Sequence, residues 1–174
     1  QARELPLGLP AFLIKPGDIR PDWTNLSDVE VIVYHFWTDS HLPIQSVDTQ
    51  SNIVTFAHKA GKVFTDDFTT DGARYVAENV FEGLDAPGEW YLNRHTGQLF
   101  YIPMPGENLA KAEVIAPVAP ALLRLAGNAL QQQFVEHLRF RNLAFEFSRF
   151  ELPPGNSNDP QGSCAPMFNQ PCPV

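Results

Sequence analysis

The sequence predicts a mostly β protein built around an antiparallel β-sandwich. Sixteen of its 174 residues are proline, where about 5% is usual, and prolines this dispersed leave little room for long helices. Short runs of β-branched and aromatic residues recur between polar turns, as strands do. Apolar residues make up 44% of the chain and charged residues 18%, a composition that supports a packed core and argues against disorder.

The first part of the chain divides into an extended lead-in, residues 1–27, and the sandwich, residues 28–126. Three strands are predicted early in the sandwich, at 29–37, 44–47 and 53–58. The first of them (VEVIVYHFW) is the strongest in the sequence because it is rich in β-branched and aromatic residues. The second and third are separated by a polar turn, Asp48-Thr-Gln-Ser-Asn52.

Two further elements are predicted in the sandwich. Residues 73–84 are expected to hold one short helix, because residues recur at helical spacing on either of two faces. These faces are Tyr75, Asn79 and Glu82, or Val76, Val80 and Leu84. An aromatic hairpin follows, with strands at 89–93 and 98–102. The link between these strands ends in Thr96-Gly97, where glycine supplies a positive φ.

Residues 127–152 are predicted to form a short parallel β-helix-like segment at the C-terminal end of the fold. Apolar residues alternate over 138–140 and 143–147, with Arg141-Asn142 between them. Two short strands joined at a corner are typical of one coil of a parallel β-helix. The remaining residues, 153–174, contain six prolines and are predicted to be an irregular tail.

One coil cannot bury its own apolar face, so Phe140, Phe145 and Phe147 are expected to lack their normal cover. Two kinds of cover remain open: the Pro-rich tail folds back, or a second copy of the chain forms a homodimer through the coil. The dimer is favoured because prolines prevent the tail from pairing regularly with a strand edge.

Bulk properties exclude several classes of partner. The net charge is −8 and no cluster of Lys or Arg is present, so neither nucleic acid nor an anionic membrane surface is an expected partner. The longest apolar runs are only a few residues, which predicts no membrane span. The chain opens with Gln1-Ala-Arg-Glu and shows no signal peptide, so its start does not indicate a localisation.

Cofactor and disulfide signatures are weak. The sequence has no Gly-rich phosphate loop and no nucleophile elbow, and no cofactor is predicted. Its two cysteines, Cys164 and Cys172, lie in the Pro-rich tail. A small-loop disulfide and two unpaired thiols are equally open.

Four alternating residues form the predicted substrate-binding surface: His35, Trp37, Asp39 and His41. On one extended strand they would share a face. An indole stacks on a pyranose ring while imidazole and carboxylate groups bond its hydroxyls, which suits carbohydrate. Two alternatives stay open, namely a core Trp with satisfied histidines at a strand end, and a metal held by two His and one Asp.

No metal site is assigned, because spacing alone does not supply the convergent geometry that a metal needs. A second acidic cluster, residues 65–72 (TDDFTTDG), is interpreted as a solvated loop in preference to a calcium site.

No catalytic residue is predicted either. Glycoside hydrolysis uses two Asp or Glu side chains that flank the scissile bond. The candidate pairs, Glu78 with Glu82 and Asp85 with Glu89, have ordinary explanations in an exposed face and a turn. The hairpin aromatics are expected to fill the core of a two-sheet sandwich. They are Trp90, Tyr91, Phe100 and Tyr101.

Two segments carry a family resemblance: residues 78–108 (ENVFEGLDAPGEWYLNRHTGQLFYIPMPGEN) and residues 135–148 (VEHLRFRNLAFEFS). They resemble the right-handed parallel β-helix glycoside hydrolases whose early coils are interrupted by an inserted β-sandwich, the xylosidase and fucosidase/xylanase type. The resemblance runs from about Asp28 to about Leu152 and includes Asp28-Val-Glu-Val-Ile-Val with Trp37. It implies that residues 135–146 begin the return from the sandwich into the β-helix.

The resemblance also implies a function. In that family the catalytic carboxylates lie on later coils, which this sequence does not contain. The chain would then be a fragment that is inactive alone, a substrate-cleft or accessory module for a plant or bacterial glycan, with an extracellular or periplasmic location. The alternative is a structural or interaction β-sandwich that binds no ligand.

Overall fold

A computed structural model describes residues 3–4, 10–35, 38–60, 63–64 and 72–149 of the chain. These residues form eight strands: β1 Arg3–Glu4, β2 Ala11–Leu13, β3 Glu30–Tyr34, β4 Asp39–Asp48, β5 Ile53–Phe56, β6 Arg74–Glu78, β7 Trp90–Asn93 and β8 Gln98–Tyr101. Their helices are three single 3-10 turns, at Leu26–Asp28, Phe81–Gly83 and Ala129–Gln131. All the strand pairs are antiparallel, which confirms the prediction of a mostly β, antiparallel fold with almost no helix.

The chain divides into two compact units, and the division falls between Ala112 and Glu113. The sequence places the end of the sandwich after residue 126. The Pro-rich tail and both cysteines lie outside the described residues.

The first unit contains a six-stranded sheet in the order β1-β2-β5-β4-β3-β6. Its long strand β4 is shared: residues 39–43 pair with β3, and Ile44 and residues 46–48 pair with β5, with a register shift between Ile44 and Ser46. A bulge of this kind bends a strand. The two halves of the sheet thereby form a sandwich-like arrangement. Strand β2, which falls in the predicted lead-in, joins this sheet through β5.

The core lies between the two halves of the sheet. Six side chains at its centre are fully buried: Phe12, Val31, Val33, Leu42, Val54 and Phe56. The ring of Phe12 lies 5.1 Å from that of Phe56 and 5.0 Å from that of Phe64. Contacts at these distances add to the stabilisation from burial.

The prediction of a helix over residues 73–84 is wrong. Residues 74–78 form β6, which pairs with β3 so that Val76 lies opposite Ile32. Tyr75 and Ala77 pack against the core, whereas Val76 is 39% exposed. Burial therefore alternates from one residue to the next along this segment, as it does in a strand. The pairing with β3 overrides the helical spacing of the valines.

The predicted aromatic hairpin is confirmed as β7 and β8, in which Trp90 lies opposite Tyr101 and Leu92 opposite Leu99. Tyr91 is buried, with its ring 5.2 Å from that of Phe81.

The second unit, up to residue 149, has little regular structure. It contains the 3-10 turn at Ala129–Gln131 and one isolated bridge between Asn128 and Gln133. No strand is present over residues 134–149, so the β-helix-like coil stays a prediction.

One backbone regularity does mark this unit. A left-handed φ recurs at every fifth residue, at Gln132 (53°), His137 (61°), Asn142 (57°) and Phe147 (61°). Residues with left-handed backbone angles change the direction of the chain, and one of them, Asn142, belongs to the predicted corner. The segment therefore turns at equal intervals.

Candidate functional site

Of the four residues predicted to share one strand face, the three that the structure describes lie on both sides of a turn. Strand β3 ends at Tyr34 and β4 begins at Asp39. The backbone amide of His35 donates to the carbonyl of Thr38 at 2.9 Å and closes the turn. Asp39 and His41 lie together on β4, His35 lies before the turn, and Trp37 lies outside the described residues.

His35 is associated with the buried side of this hairpin. Its Nε2 lies 2.8 Å from Oγ of Ser40, a fully buried residue. Ser40 lies opposite Val33, a core residue, in the pairing of β3 with β4. The contact of His35 with a buried hydroxyl fits a structural role at the end of the hairpin.

Asp39 and His41 form a polar cluster with Glu30. Nε2 of His41 lies 3.6 Å from Oδ1 of Asp39, and its Nδ1 lies 3.4 Å from Oε2 of Glu30. The hydrogen bond from His41 holds the pKa of Glu30 below its ordinary value, although partial burial acts to raise it. The charge of Arg94 lowers it further. Glu30 is thus stabilised as a carboxylate.

Glu30 also lines a cleft of about 550 Å³ beside the hairpin. Polar side chains and an aromatic ring from several elements line this cleft. Strand β3 contributes Glu30, β6 contributes Glu78, and Asn79 follows β6. Trp90 lies on β7, and Glu89 and Arg94 flank that strand. Carboxylates, an amide, a guanidinium and an indole therefore share one concave surface.

The strand pairing and local bonds position these side chains. Glu30 and Glu78 lie directly opposite each other in the pairing of β3 with β6, so two acidic side chains start from neighbouring backbone positions. Arg94 is anchored through its backbone amide, 3.0 Å from Oδ2 of Asp28, and its Nη1 lies 3.3 Å from the carbonyl of Asp28. Asn79 donates to the same carbonyl at 3.2 Å.

Trp90 is the residue that sequence reasoning missed. It was expected in the core, yet it is 61% exposed, while its neighbour Tyr91 is 1% exposed and confirms that expectation for itself. The alternation of side chains along a strand predicts that the rings of Trp90 and Tyr91 face opposite sides of β7. It does not predict which of the two rings packs into the core. Phe100 is 39% exposed.

The carboxylates of Glu89 and Glu82 accept hydrogen bonds from backbone amides. Glu89 accepts hydrogen bonds from the amides of Ala86 (2.9 Å) and Asp85 (2.7 Å), which lower its pKa. Glu82 accepts from the amide (2.8 Å) and hydroxyl (2.6 Å) of Thr24. Desolvation acts to raise the pKa of Glu82, but these bonds outweigh it and the pKa is lowered.

Among the residues that the structure describes, the carboxyl groups with a shifted pKa share one direction. Five of them have a pKa below the ordinary value: Glu30, Asp48, Glu82, Glu89 and Glu107. A glycosidase needs one carboxylic acid with a raised pKa that can protonate the leaving group. Glu30 and Glu89, which line the cleft, are shifted the other way.

Within the described part of the chain, no three His, Cys, Asp or Glu side chains are placed to hold a metal ion. The acidic loop considered for calcium lies, except for Gly72, outside the described residues. Nor does any helix in the described ranges have the length and apolar character needed to cross a bilayer.

Comparison of the chain with protein-family models, curated proteins and solved structures finds no match. The resemblance to β-helix glycoside hydrolases therefore stays a prediction. Function has to be inferred from the cleft itself.

Proposed function

We propose that the chain is a carbohydrate-binding accessory module of a glycoside hydrolase-like β-helix protein, without a catalytic pair of its own. The sugar binds in the cleft beside β7. The observation that carries this proposal is the exposed indole of Trp90, which lines the same cleft as Glu30, Glu78 and Arg94.

The chemistry of the lining suits a sugar. A pyranose offers an apolar ring face and hydroxyls that both donate and accept hydrogen bonds. The indole can cover the ring face, while the carboxylates accept hydrogen bonds and the guanidinium of Arg94 donates them. A volume of 550 Å³ falls in the range of roughly 300–1,000 Å³ found for small-molecule sites.

The predicted polar face connects to this cleft through one residue. Asp39 contacts His41, and His41 contacts Glu30, which itself lines the cleft. His41 therefore orients Glu30 and stabilises its charge, and Asp39 acts on this cleft residue through its contact with His41. They support the proposal as positioning residues.

The ionisation of the cleft supports a binding role over catalysis. Glu30 is kept charged by His41 and Arg94, and Glu89 is held by two backbone amides. Carboxylates fixed in this way accept hydrogen bonds from hydroxyls, but they are poor proton donors near neutral pH.

A structural module without a ligand is the second candidate. It is favoured by the bonds that Asn79 and Arg94 make to the backbone of Asp28, since residues that brace the cleft need no sugar to explain them. The two candidates differ in one measurable property, saturable sugar binding.

Isothermal titration calorimetry of the intact chain with a xylo-oligosaccharide tests the proposal. We expect saturable binding that Trp90→Ala weakens by about tenfold or more, because a stacked aromatic contact is worth roughly 0.5–1.5 kcal/mol beyond its buried area. Leu99→Ala is the matched control, since Leu99 is 51% exposed on the same hairpin and does not line the cleft.

Trp37→Ala separates the cleft from the surface predicted from sequence. Binding that survives Trp37→Ala and fails in Trp90→Ala assigns the sugar to the cleft. Absence of heat with xylo-, fuco- and other plant or bacterial oligosaccharides would support the structural module and overturn the proposal.

A further inference from the structure

Seven large apolar side chains between residues 134 and 147 are exposed, by 45% to 62% each. They are Phe134, Val135, Leu138, Phe140, Leu143, Phe145 and Phe147. Since a large apolar side chain presents roughly 150–250 Å² when open, together they expose on the order of 700 Å². This sum approaches the roughly 800 Å² that each partner buries in a stable interface.

The backbone of the same segment is also open. Among the described residues, no backbone–backbone hydrogen bond involves residues 134–148. These two features together favour a protein partner, because another chain can bury the apolar side chains and can form hydrogen bonds with the unpaired backbone groups.

The order of residues in the segment is complementary to itself when one copy is reversed. Alignment of residues 138–147 with a second, antiparallel copy gives five kinds of pair, and three of them match in character: Leu138 with Phe147, Arg139 with Glu146, and Phe140 with Phe145. The other two, Arg141 with Ala144 and Asn142 with Leu143, bring no like charges together. A parallel, in-register copy would place Arg139 on Arg139 and Arg141 on Arg141, which repel each other.

We propose that a second copy of this chain covers residues 138–147 in an antiparallel, two-fold arrangement that places Arg139 of each copy beside Glu146 of the other. Such an interface is self-complementary, so it closes as a dimer and does not propagate into filaments. Neither Arg139 nor Glu146 forms an ion pair among the described residues, and both are exposed. The proposal is independent of what binds in the cleft.

Sedimentation velocity of the intact chain over a wide range of concentration tests the dimer, with charge reversal as the probe. The wild type should show a monomer–dimer equilibrium. Arg139→Glu and Glu146→Arg should each weaken dimerisation by about tenfold or more, because each places two like charges together at both ends of the interface. Arg124→Glu, an exposed arginine outside the segment, is the control.

Two rescue experiments distinguish this geometry from general stickiness. The double variant Arg139→Glu/Glu146→Arg restores both pairs and should dimerise as the wild type does. An equimolar mixture of the two single variants should form a mixed dimer, since each copy then supplies the charge that the other needs. A monomer at every concentration, association beyond a dimer, or single variants that behave as Arg124→Glu does would overturn the proposal.

Discussion

The side-chain amide of Asn79 binds the backbone of Leu92 in both directions: its Oδ1 accepts from the Leu92 amide at 2.9 Å, and its Nδ2 donates to the Leu92 carbonyl at 3.0 Å. One side chain thus supplies the hydrogen bonds that a neighbouring strand would give to β7. Asn79 has a φ of 56°, a left-handed conformation that asparagine tolerates better than most residues. This contact holds the aromatic hairpin against the end of β6 and so shapes the cleft.

Removal of the Asn79 side chain should destabilise the first unit. Asn79→Gly keeps the left-handed backbone free of strain and leaves two polar groups of Leu92 without their partner, which costs about 1–3 kcal/mol. Asn52→Gly is the control, because Asn52 has the same φ of 56° and contributes its backbone carbonyl to Ile14. Urea unfolding measures both variants. Equal losses would show that the Asn79 amide adds nothing beyond backbone conformation.

Acid should weaken the fold through Glu30. The pKa of Glu30 is lower in the folded protein than its ordinary value of 4.5, so the folded state binds this proton less readily than the unfolded chain. The stabilisation is therefore complete above the ordinary value and is lost as the pH falls through the lower folded-state pKa. Urea unfolding at a series of pH values from about 7 to about 3 records this decline.

Glu30→Gln cannot titrate and should show a shallower decline below pH 4.5. The decline does not vanish, because Glu82, Glu89 and Glu107 have lowered pKa values as well. Glu113→Gln, at an exposed position in the second unit, should follow the wild type. A pH profile of Glu30→Gln that coincides with that of the wild type would show that the pairing with His41 contributes no stability.

Phe12 should be among the most sensitive core positions. It is fully buried and its ring lies 5.0 to 5.1 Å from those of Phe56, Phe64 and Tyr75. Phe12→Ala should cost about 3–5 kcal/mol of unfolding free energy. Phe140→Ala, at a position that is 48% exposed, should change it by less than about 0.5 kcal/mol at dilute concentration. A larger effect at Phe140 would place residues 113–149 in a folded core.

The isolated chain should not hydrolyse aryl-glycosides. The carboxylate of Glu89 accepts hydrogen bonds from the amides of Asp85 and Ala86 and closes the turn. Glu89→Gln should therefore lower the free energy of unfolding slightly and should have no effect on hydrolysis. A release of aryl alcohol by the wild type that disappears in Glu89→Gln or Asp85→Asn would instead assign a catalytic pair to this turn.

Local sequence predicted the strands well where one face packs. β3, β5 and the hairpin β7–β8 follow β-branched and aromatic runs, and each pairs with a neighbour as the pattern requires. The end of β3 at Tyr34 and the start of β4 at Asp39 were not predicted, because the sequence between them, HFWT, contains none of the residues that usually mark a turn. The prediction of a helix over residues 73–84 is wrong because β3 pairs with this segment, and that pairing depends on the tertiary fold.

The site depended still more on tertiary contacts. Glu30 lies far in sequence from Glu78 and Arg94, and only the pairing of β3 with β6 and the docked hairpin place them in one cleft. The exposure of Trp90 is decided by the opposite face of β7, where Tyr91 packs against Phe81. Asp39 and His41 were predicted because both sit on one strand face, a relation that the sequence shows directly.

Binding of a sugar in the cleft beside Trp90 can be followed by a nitrogen–proton NMR titration of the intact chain with a xylo-oligosaccharide. The three indole signals (one for each Trp in the sequence) report three sites at once. We expect saturable shifts of the Trp90 indole and of the Leu92 and Arg94 amides, with the Trp23 indole unmoved, if the sugar binds in this cleft. Shifts confined to the turn around His35 and Thr38, or no saturable shift with any glycan of the panel, would contradict it.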